Sequence, residues 1–211
     1  MRKLLIFHSF LAAGAPLLTH SAYGAKLIRN GGFEKPAVSA GSYQVYSEGE
    51  TFTAWKVVGA AGNVAIVSGT FEQDGFTFPA VAGSQWLDLT GNSNTVTGVQ
   101  QTVPTTAGTA YTLTFYVGNI YDPGGIFGTT STVNVLVNGT QVYTATNTKG
   151  NGLAKQVWQK FTTTITAVSA HTTIAFMNGD PSNDTSNGLD QVSLVVEAAD
   201  QPAVEQTGSP N

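Results

Sequence analysis

A period of two in the placement of apolar side chains constrains this chain more than any other feature. In residues 111–117, tyrosine, leucine, phenylalanine and valine alternate with threonine and tyrosine, which is the pattern of a strand with one buried face. Residues 133–137 and 161–165 repeat the pattern, and Asn138-Gly139 predicts a tight hairpin turn between two strands. No apolar stripe at helical spacing persists for three turns, so the sequence predicts an all-β fold.

Short strands separated by turn residues account for most of the chain. Threonine is abundant and 24 glycines are present, which favours an antiparallel β-sandwich, and in particular a jelly roll. Trp55 is expected in its core. The remaining predicted strands are residues 26–29, 43–47, 55–58, 64–67, 85–89, 99–103, 141–146, 173–177 and 191–196.

The two ends of the chain are expected to lie outside the fold. Arg2 and Lys3 precede an apolar stretch, residues 4–18, and Ala22-Tyr23-Gly24 supplies the small residues of a cleavage site. This pattern predicts a secretory signal peptide, residues 1–24, and a secreted, extracellular or cell-surface protein. The periplasm and a retained anchor are the alternatives. Residues 25–197 then form a single domain, and the polar residues 198–211 a disordered tail.

Charge and cysteine content exclude several classes of partner. The chain has 9 basic and 13 acidic residues, for a net charge of −4, and removal of Arg2 and Lys3 would make it more negative. A nucleic-acid partner is therefore not expected, because phosphate binding needs clustered basic residues. No second apolar stretch predicts membrane insertion of the mature chain. With no cysteine, an exported domain must be stabilised by its core or by a metal.

The sequence contains few candidate catalytic residues, so an enzyme is not expected. His171 is the only histidine after the leader, there is no cysteine nucleophile, and no Gly-x-Ser-x-Gly sequence occurs. A glycoside hydrolase remains an alternative, because that reaction needs only two carboxylates. Candidates for such a pair are Glu48, Glu50, Glu72, Asp74 and Asp88.

Polar oxygen atoms are concentrated near the carboxyl end of the domain. Ca²⁺ takes six to eight oxygen ligands from carboxylates, amides and main chain, and the residues present have that chemistry. The alternative is a loop whose side chains form Asx turns with their own backbone. The residues concerned are Asp180, Asn183, Asp184, Asn187 and Asp190.

Several aromatic and acidic side chains have the strand parity of a polar face. If Leu87 and Phe161 point into the core, their neighbours of opposite parity point outward, and exposed rings beside carboxylates are suited to stacking on sugars. The alternative is that loops cover these rings and bury them in a second cluster. The carbohydrate-binding candidates are Trp86, Asp88, Tyr116 and Trp158, together with Tyr121 from a loop predicted to carry exposed aromatics, residues 121–128.

Motifs spread over the chain resemble one known family. The chain is similar to the secreted DUF642 / choice-of-anchor family, whose fold is a galactose-binding-like jelly roll related to calcium-containing carbohydrate-binding modules. The resemblance covers about residues 28–196. The motifs that carry it are Asn30–Glu34, Trp55, residues 87–91, 100–102, 108–115 and 158–167, and Asn178-Gly179-Asp180 through Leu194.

The resemblance implies a non-catalytic module that binds a glycan or polysaccharide at the cell surface or in the extracellular matrix. It also implies a structural Ca²⁺ held by Glu34 and Asp190, with main-chain oxygens near Gly32. Gln191 stands where relatives often have a second acid or amide. The chain ends without the apolar and basic sorting segment of many members, so free secretion is expected. The alternative function is a structural or adhesion protein that binds other proteins, which the sequence does not identify.

Overall fold

A computed structural model describes residues 25–181 and 185–197. The predicted leader, the predicted tail, Asn183 and Asp184 lie outside these described residues. Within them the structure has no helix long and apolar enough to cross a membrane. The strands are β1 (Tyr43–Ser47), β2 (Thr51–Phe52), β3 (Trp55–Gly59), β4 (Asn63–Ser68), β5 (Glu72–Gln73), β6 (Phe76–Thr77), β7 (Gln85–Asp88), β8 (Thr97–Pro104), β9 (Ala110–Asn119), β10 (Ser131–Val137), β11 (Thr140–Asn147), β12 (Val157–Thr166), β13 (His171–Asn178) and β14 (Gly188–Val196).

Two six-stranded sheets face each other. The first sheet has the order β1-β4-β7-β14-β9-β12, the second has the order β11-β10-β13-β8-β3-β2, and β5 pairs with β6 in a separate hairpin. Neighbouring strands pair antiparallel throughout both sheets. From β7 onward the chain passes repeatedly from one sheet to the other. This is an antiparallel jelly-roll sandwich, and the predicted fold class is confirmed.

The core lies between the sheets and consists of the alternating residues. Leu113, Phe115 and Val117 on β9 are fully buried, and the Phe115 ring packs 5.2 Å from that of Phe176 on β13. Trp55 is 1% exposed, as predicted. Burial of apolar area at roughly 25 cal/mol per Å² is the main stabilising contribution.

Every predicted strand except residues 26–29 is present in the structure. Asn138 and Gly139 have φ values of 50° and 85° and connect β10 to β11, so the hairpin prediction is confirmed. Residues 26–29 were predicted as a strand but form none. The segment still lies along β14, because the amide of Leu27 donates to the carbonyl of Leu194 at 2.9 Å.

Candidate functional site

The outer face of the first sheet carries a second apolar cluster. In the register of β4 and β7, Ala65 lies opposite Asp88 and Val67 lies opposite Trp86, and these four side chains point away from the core that contains Leu87. Ala65, Val67 and Trp86 are nonetheless buried, and they pack together in a cluster separate from the core. Side chains that point away from the core therefore form a second apolar layer on the outer face of the sheet, and this layer is shielded from solvent.

Two segments cover this face. In the β5–β6 hairpin, Asp74 and Gly75 have φ values of 51° and 83°, the backbone of a tight hairpin turn. The chain after it brings Phe78 onto Trp86, with ring centroids 6.1 Å apart and an interplanar angle of 13°. From residues 121–128, Phe127 meets Phe78 edge-on at 5.2 Å. We name these rings, with their apolar neighbours, the outer aromatic cluster.

The prediction that Trp86 is an exposed stacking platform is wrong. Its side chain is 2% exposed, and its Nε1 donates to the carbonyl of Phe78 at 3.0 Å. Trp158 is partly buried, edge-on to Trp86 at 5.9 Å, and donates to the carbonyl of Pro79 at 2.7 Å. Covering loops bury these rings, which is the alternative that the sequence left open. Phe127, in the loop predicted to carry exposed aromatics, is also buried, at 4% exposed.

An aromatic-walled cleft remains open above this cluster. Its cavity volume is about 190 Å³. Tyr43 and Ile126 stand at its rim, 44% and 49% exposed, and Tyr43 is edge-on to Phe71 at 5.6 Å. We call this cleft, with Asp88 and Ser186 among its lining residues, the outer cleft.

Asp88 is the acidic group of the outer cleft. Its Oδ1 accepts hydrogen bonds from the amide of Thr90 at 3.0 Å, the hydroxyl of Thr90 at 2.6 Å and the amide of Asn187 at 3.4 Å. Burial raises the pKa of this carboxyl to about 6, although these bonds and the amide of Gly91 act in the opposite direction. The carboxylate is thus held in one orientation by main-chain and hydroxyl donors.

One side of the outer cleft is a hydrogen-bonded wall. The amide of Thr185 donates to the carbonyl of Ile126 at 3.1 Å. The carbonyl of Thr185 lies 2.8 Å from the hydroxyl of Thr90 and shares its single proton with Asp88 Oδ1. Next to it, Ser186 is 2% exposed. Among the described residues its buried hydroxyl has no hydrogen-bond partner, so a donor and an acceptor of a residue that lines the cleft are unsatisfied.

The other two predicted carbohydrate-binding residues lie elsewhere. Tyr121 lines a separate shallow depression with Phe76 and Leu153. Tyr116 pairs with Asp190 on β14 and with Lys160 on β12 and is partly buried. The structure therefore brings Trp86 and Asp88 together at the outer cleft, places Trp158 behind Trp86, and places both tyrosines away from it.

A pair of carboxylates lies beside the segment that leads into β7. Asp190 is fully buried, and its Oδ2 accepts from the amide of Val81 at 3.0 Å. Glu34 Oε1 accepts from the amides of Ser84 and Gln85 at 2.9 and 3.1 Å. The two carboxylates thus hold the same short loop, although they are far apart in sequence.

Backbone geometry at both ends of the domain sets the position of this pair. The register of β14 shifts between Asp190 and Ser193, with Gln191 at a φ of 49°. The amide of Val192 then donates to the carbonyl of Gly31 at 2.8 Å, which docks the first turn of the domain onto the bulge. A Cβ at Gly32 would lie 2.8 Å from the side-chain nitrogen Nε2 of Gln191 and 3.8 Å from Asp190 Oδ1, so little space separates the turn from the carboxylate.

Burial and a neighbouring negative charge both act on Asp190. Burial and, to a smaller extent, the negative charge of Glu34 raise the pKa of Asp190 to about 7, although three amide hydrogen bonds act in the opposite direction. In the described part of the chain, no three His, Cys, Asp or Glu side chains cluster as metal ligands. A metal here would take its remaining ligands from main-chain oxygens and water.

Three of the oxygen-rich residues near the carboxyl end are among the described residues, and they lie in two places. Asp180 Oδ1 accepts from the amide of Thr132 at 2.5 Å. Asn187 donates through Nδ2 to the carbonyl of Thr132 at 2.6 Å and to Asn178 Oδ1 at 2.8 Å. Asp180 and Asn187 thus bond to Thr132 on β10, which is 48 and 55 residues away in sequence, whereas the Asx-turn alternative expected bonds within the loop itself. Asp190 lies with Glu34 instead.

Sequence reasoning missed the rim of the outer cleft. Tyr43, Phe71 and Ser186 were not singled out, nor were Gln73 and Asn92, exposed amides that also line it. One signal was available. Asp74-Gly75 between polar and aromatic residues is typical of a two-residue hairpin turn, and it would have indicated a hairpin able to cover a sheet face.

Comparison with known proteins agrees with the architecture. The family model described as "Protein of unknown function (DUF642)" matches residues 26–194. A search of curated proteins finds no significant match. Among solved structures, a cyclase from Fischerella sp. TAU is 18% identical with a TM-score of 0.57, over 84% of this chain and 100% of that chain.

Two carbohydrate-binding modules from Paenibacillus barcinonensis are also similar. The CBM22-1 xylan-binding domain is 17% identical with a TM-score of 0.45, over 76% of this chain and 97% of that chain. The CBM35 domain is 15% identical with a TM-score of 0.42, over 74% and 99%. At these identities a likeness concerns the fold alone.

Proposed function

Since the chain belongs to the DUF642 family, whose description names no activity, we propose from its own geometry that it binds carbohydrate in the outer cleft. The observation that carries the proposal is the combination of exposed aromatic and apolar rim residues with an oriented carboxylate below them. Sugars present apolar C–H faces and rings of hydroxyls, so a site for them needs apolar walls and a few placed polar groups. Tyr43 and Asp88 supply one of each.

The same cleft favours binding over hydrolysis. Among the described residues that line it, Asp88 is the one acidic side chain, whereas most glycoside hydrolases use two carboxylates that flank the scissile bond. The proposed role is therefore that of a non-catalytic module in a secreted or cell-surface protein.

Glycan binding is tested on a glycan array and by depletion on insoluble polysaccharides. Tyr43→Ala should abolish or strongly weaken binding, because it removes the exposed ring at the rim. Tyr121→Ala is the matched control, since the same substitution is made outside the outer cleft. Absence of binding to any glycan, or equal weakening by both substitutions, would overturn the proposal.

We further propose that Glu34 and Asp190 hold a structural Ca²⁺. The donor chemistry fits, because carboxylate oxygens are the ligands that Ca²⁺ prefers, the two carboxylates hold one loop, and the negative charge of Glu34 acts on Asp190. Main-chain oxygens near Gly32 would complete the ligand set. When bound, such an ion neutralises the paired negative charges and ties the two ends of the domain together.

The calcium proposal is tested by thermal unfolding with and without chelator. An ion present at a thousand times its dissociation constant adds about 4 kcal/mol, which corresponds to roughly 10 °C in Tm for a domain of this size. Chelator should remove this increment from the natural protein and leave Glu34→Gln unchanged. Glu48→Gln, an exposed glutamate, should respond as the natural protein does. A Tm that chelator leaves unmoved would refute the proposal.

A further inference from the structure

The size of the outer cleft limits what can enter it. Its cavity volume is about 190 Å³, below the roughly 300–1,000 Å³ of sites that enclose drug-sized ligands. One sugar ring with its hydroxyl groups is of this size, whereas a stretch of several rings is not.

A continuous series of aromatic rings lines the floor and one side of the outer cleft. Ring contacts run from Tyr43 through Phe71, 5.6 Å apart, to Phe78, a further 5.6 Å away. Phe78 contacts Phe127 at 5.2 Å, next to Ile126 at the rim. Phe78 and Phe127 are buried and form the floor, whereas Tyr43 and Ile126 are exposed at the rim. A polysaccharide lying along the sheet would have to pass over that rim, so the shape favours insertion of an end.

The opposite wall is held by hydrogen bonds. Ile126 is joined through its carbonyl to Thr185, and the carbonyl of Thr185 is joined to Thr90. Thr90 in turn donates twice to Asp88 Oδ1. The sides of the cleft are thus tied to the acidic group below, which limits any widening into an open groove.

Charge at the outer cleft has one sign. Among the described residues that line it, Asp88 is ionisable as an acid, and none is lysine, arginine or histidine. A carboxylate accepts hydrogen bonds from hydroxyl groups, and these charge-assisted bonds are stronger than neutral ones. A sugar acid would place a second negative charge beside it, which is unfavourable in a partly desolvated site.

Ser186 supplies an independent sign of a polar ligand. Its side chain is 98% buried and lines the cleft, and its hydroxyl has no partner among the described residues. Leaving such a group unsatisfied is unfavourable, because it has lost its hydrogen bonds to water. A ligand hydroxyl placed between Ser186 and Asp88 would satisfy it.

On the basis of the carbohydrate-binding role proposed above, we infer that the outer cleft takes the terminal ring of a neutral glycan chain, with Asp88 and Ser186 as hydrogen-bond partners of its hydroxyl groups. The ligand class is a neutral chain end and excludes both chain interiors and uronic acids.

Calorimetric titration with defined sugars tests this inference. The probes are disaccharides and hexasaccharides of glucose, galactose, mannose and xylose, with glucuronate and galacturonate compared against glucose and galactose. For an end-binding site, the dissociation constants of a disaccharide and its hexasaccharide should agree within about twofold, because added rings lie outside the cleft. Each uronate should bind about tenfold or more weakly than its neutral counterpart.

Two variants identify the residues responsible. Asp88→Asn should reduce the discrimination against uronates, and Ser186→Ala should weaken neutral sugars while leaving that discrimination in place. Their Tm values are measured alongside, so that misfolding is recognised. Binding that tightens about tenfold or more from disaccharide to hexasaccharide, or uronates that bind as well as neutral sugars, would overturn the inference while leaving the proposed function intact. Failure of every sugar to bind would overturn both.

Discussion

Replacement of Asp88 by asparagine should make the protein more stable at neutral pH and have little effect at low pH. Burial raises the pKa of Asp88 from 3.8 to about 6, so the folded state holds its proton where the unfolded state has lost it. Stability contributed by this group therefore falls as pH rises from 3.8 through 6. Asparagine keeps an oxygen acceptor for Thr90 but does not ionise.

The size of the effect follows from the shift. At 1.36 kcal/mol per pKa unit, the raised pKa corresponds to about 3 kcal/mol of destabilisation once the carboxyl is ionised in both states. Below the unfolded pKa both states are protonated and the difference disappears. The unfolding free energy of Asp88→Asn minus that of the natural protein should therefore increase by about 3 kcal/mol between about pH 3.5 and about pH 7.5.

Urea unfolding at the two pH values measures this difference. Asp190 and the other carboxylates titrate in both proteins, so their contributions cancel. Asp74→Asn is the matched control, because it removes the same charge from an exposed hairpin turn. If the stability difference for Asp88→Asn does not change with pH, or changes no more than that for Asp74→Asn, then burial at the outer cleft does not perturb this carboxyl.

Two further substitutions test the sandwich and its cover. A Cβ at Gly98 would lie 2.0 Å from the carbonyl oxygen of Phe176, so Gly98→Ala should separate β8 from β13. It should cost more in urea unfolding than Gly49→Ala, where space is open and only the positive φ of 89° is strained, at roughly 1–2 kcal/mol; equal costs would contradict the close approach. Phe127→Ala removes a ring from the outer aromatic cluster and should cost about 3–5 kcal/mol, while exposing Trp86 to a soluble fluorescence quencher. If Trp86 stays protected from the quencher in Phe127→Ala, then the outer aromatic cluster does not depend on the Phe127 ring.

Local chemistry in the sequence determined the strands and their buried faces. Alternation in residues 111–117 assigned Leu113, Phe115 and Val117 to the core, because the side-chain period of a strand is two. Asn138-Gly139 determined a hairpin, because both residues tolerate positive φ. Parity also placed Trp86 and Asp88 correctly on the face opposite Leu87.

Only the tertiary structure decided what happens to that opposite face. Parity specifies the direction of a side chain but not what lies above it, and exposure depends on segments that are distant in sequence. The β5–β6 hairpin and residues 121–128 cover Trp86, so an aromatic residue assigned to solvent is 2% exposed. The same cover leaves the outer cleft open, with Tyr43 and Ser186 at positions that no local pattern indicates. Glu34 and Asp190 show the same dependence, since both hold one loop that neither adjoins in sequence.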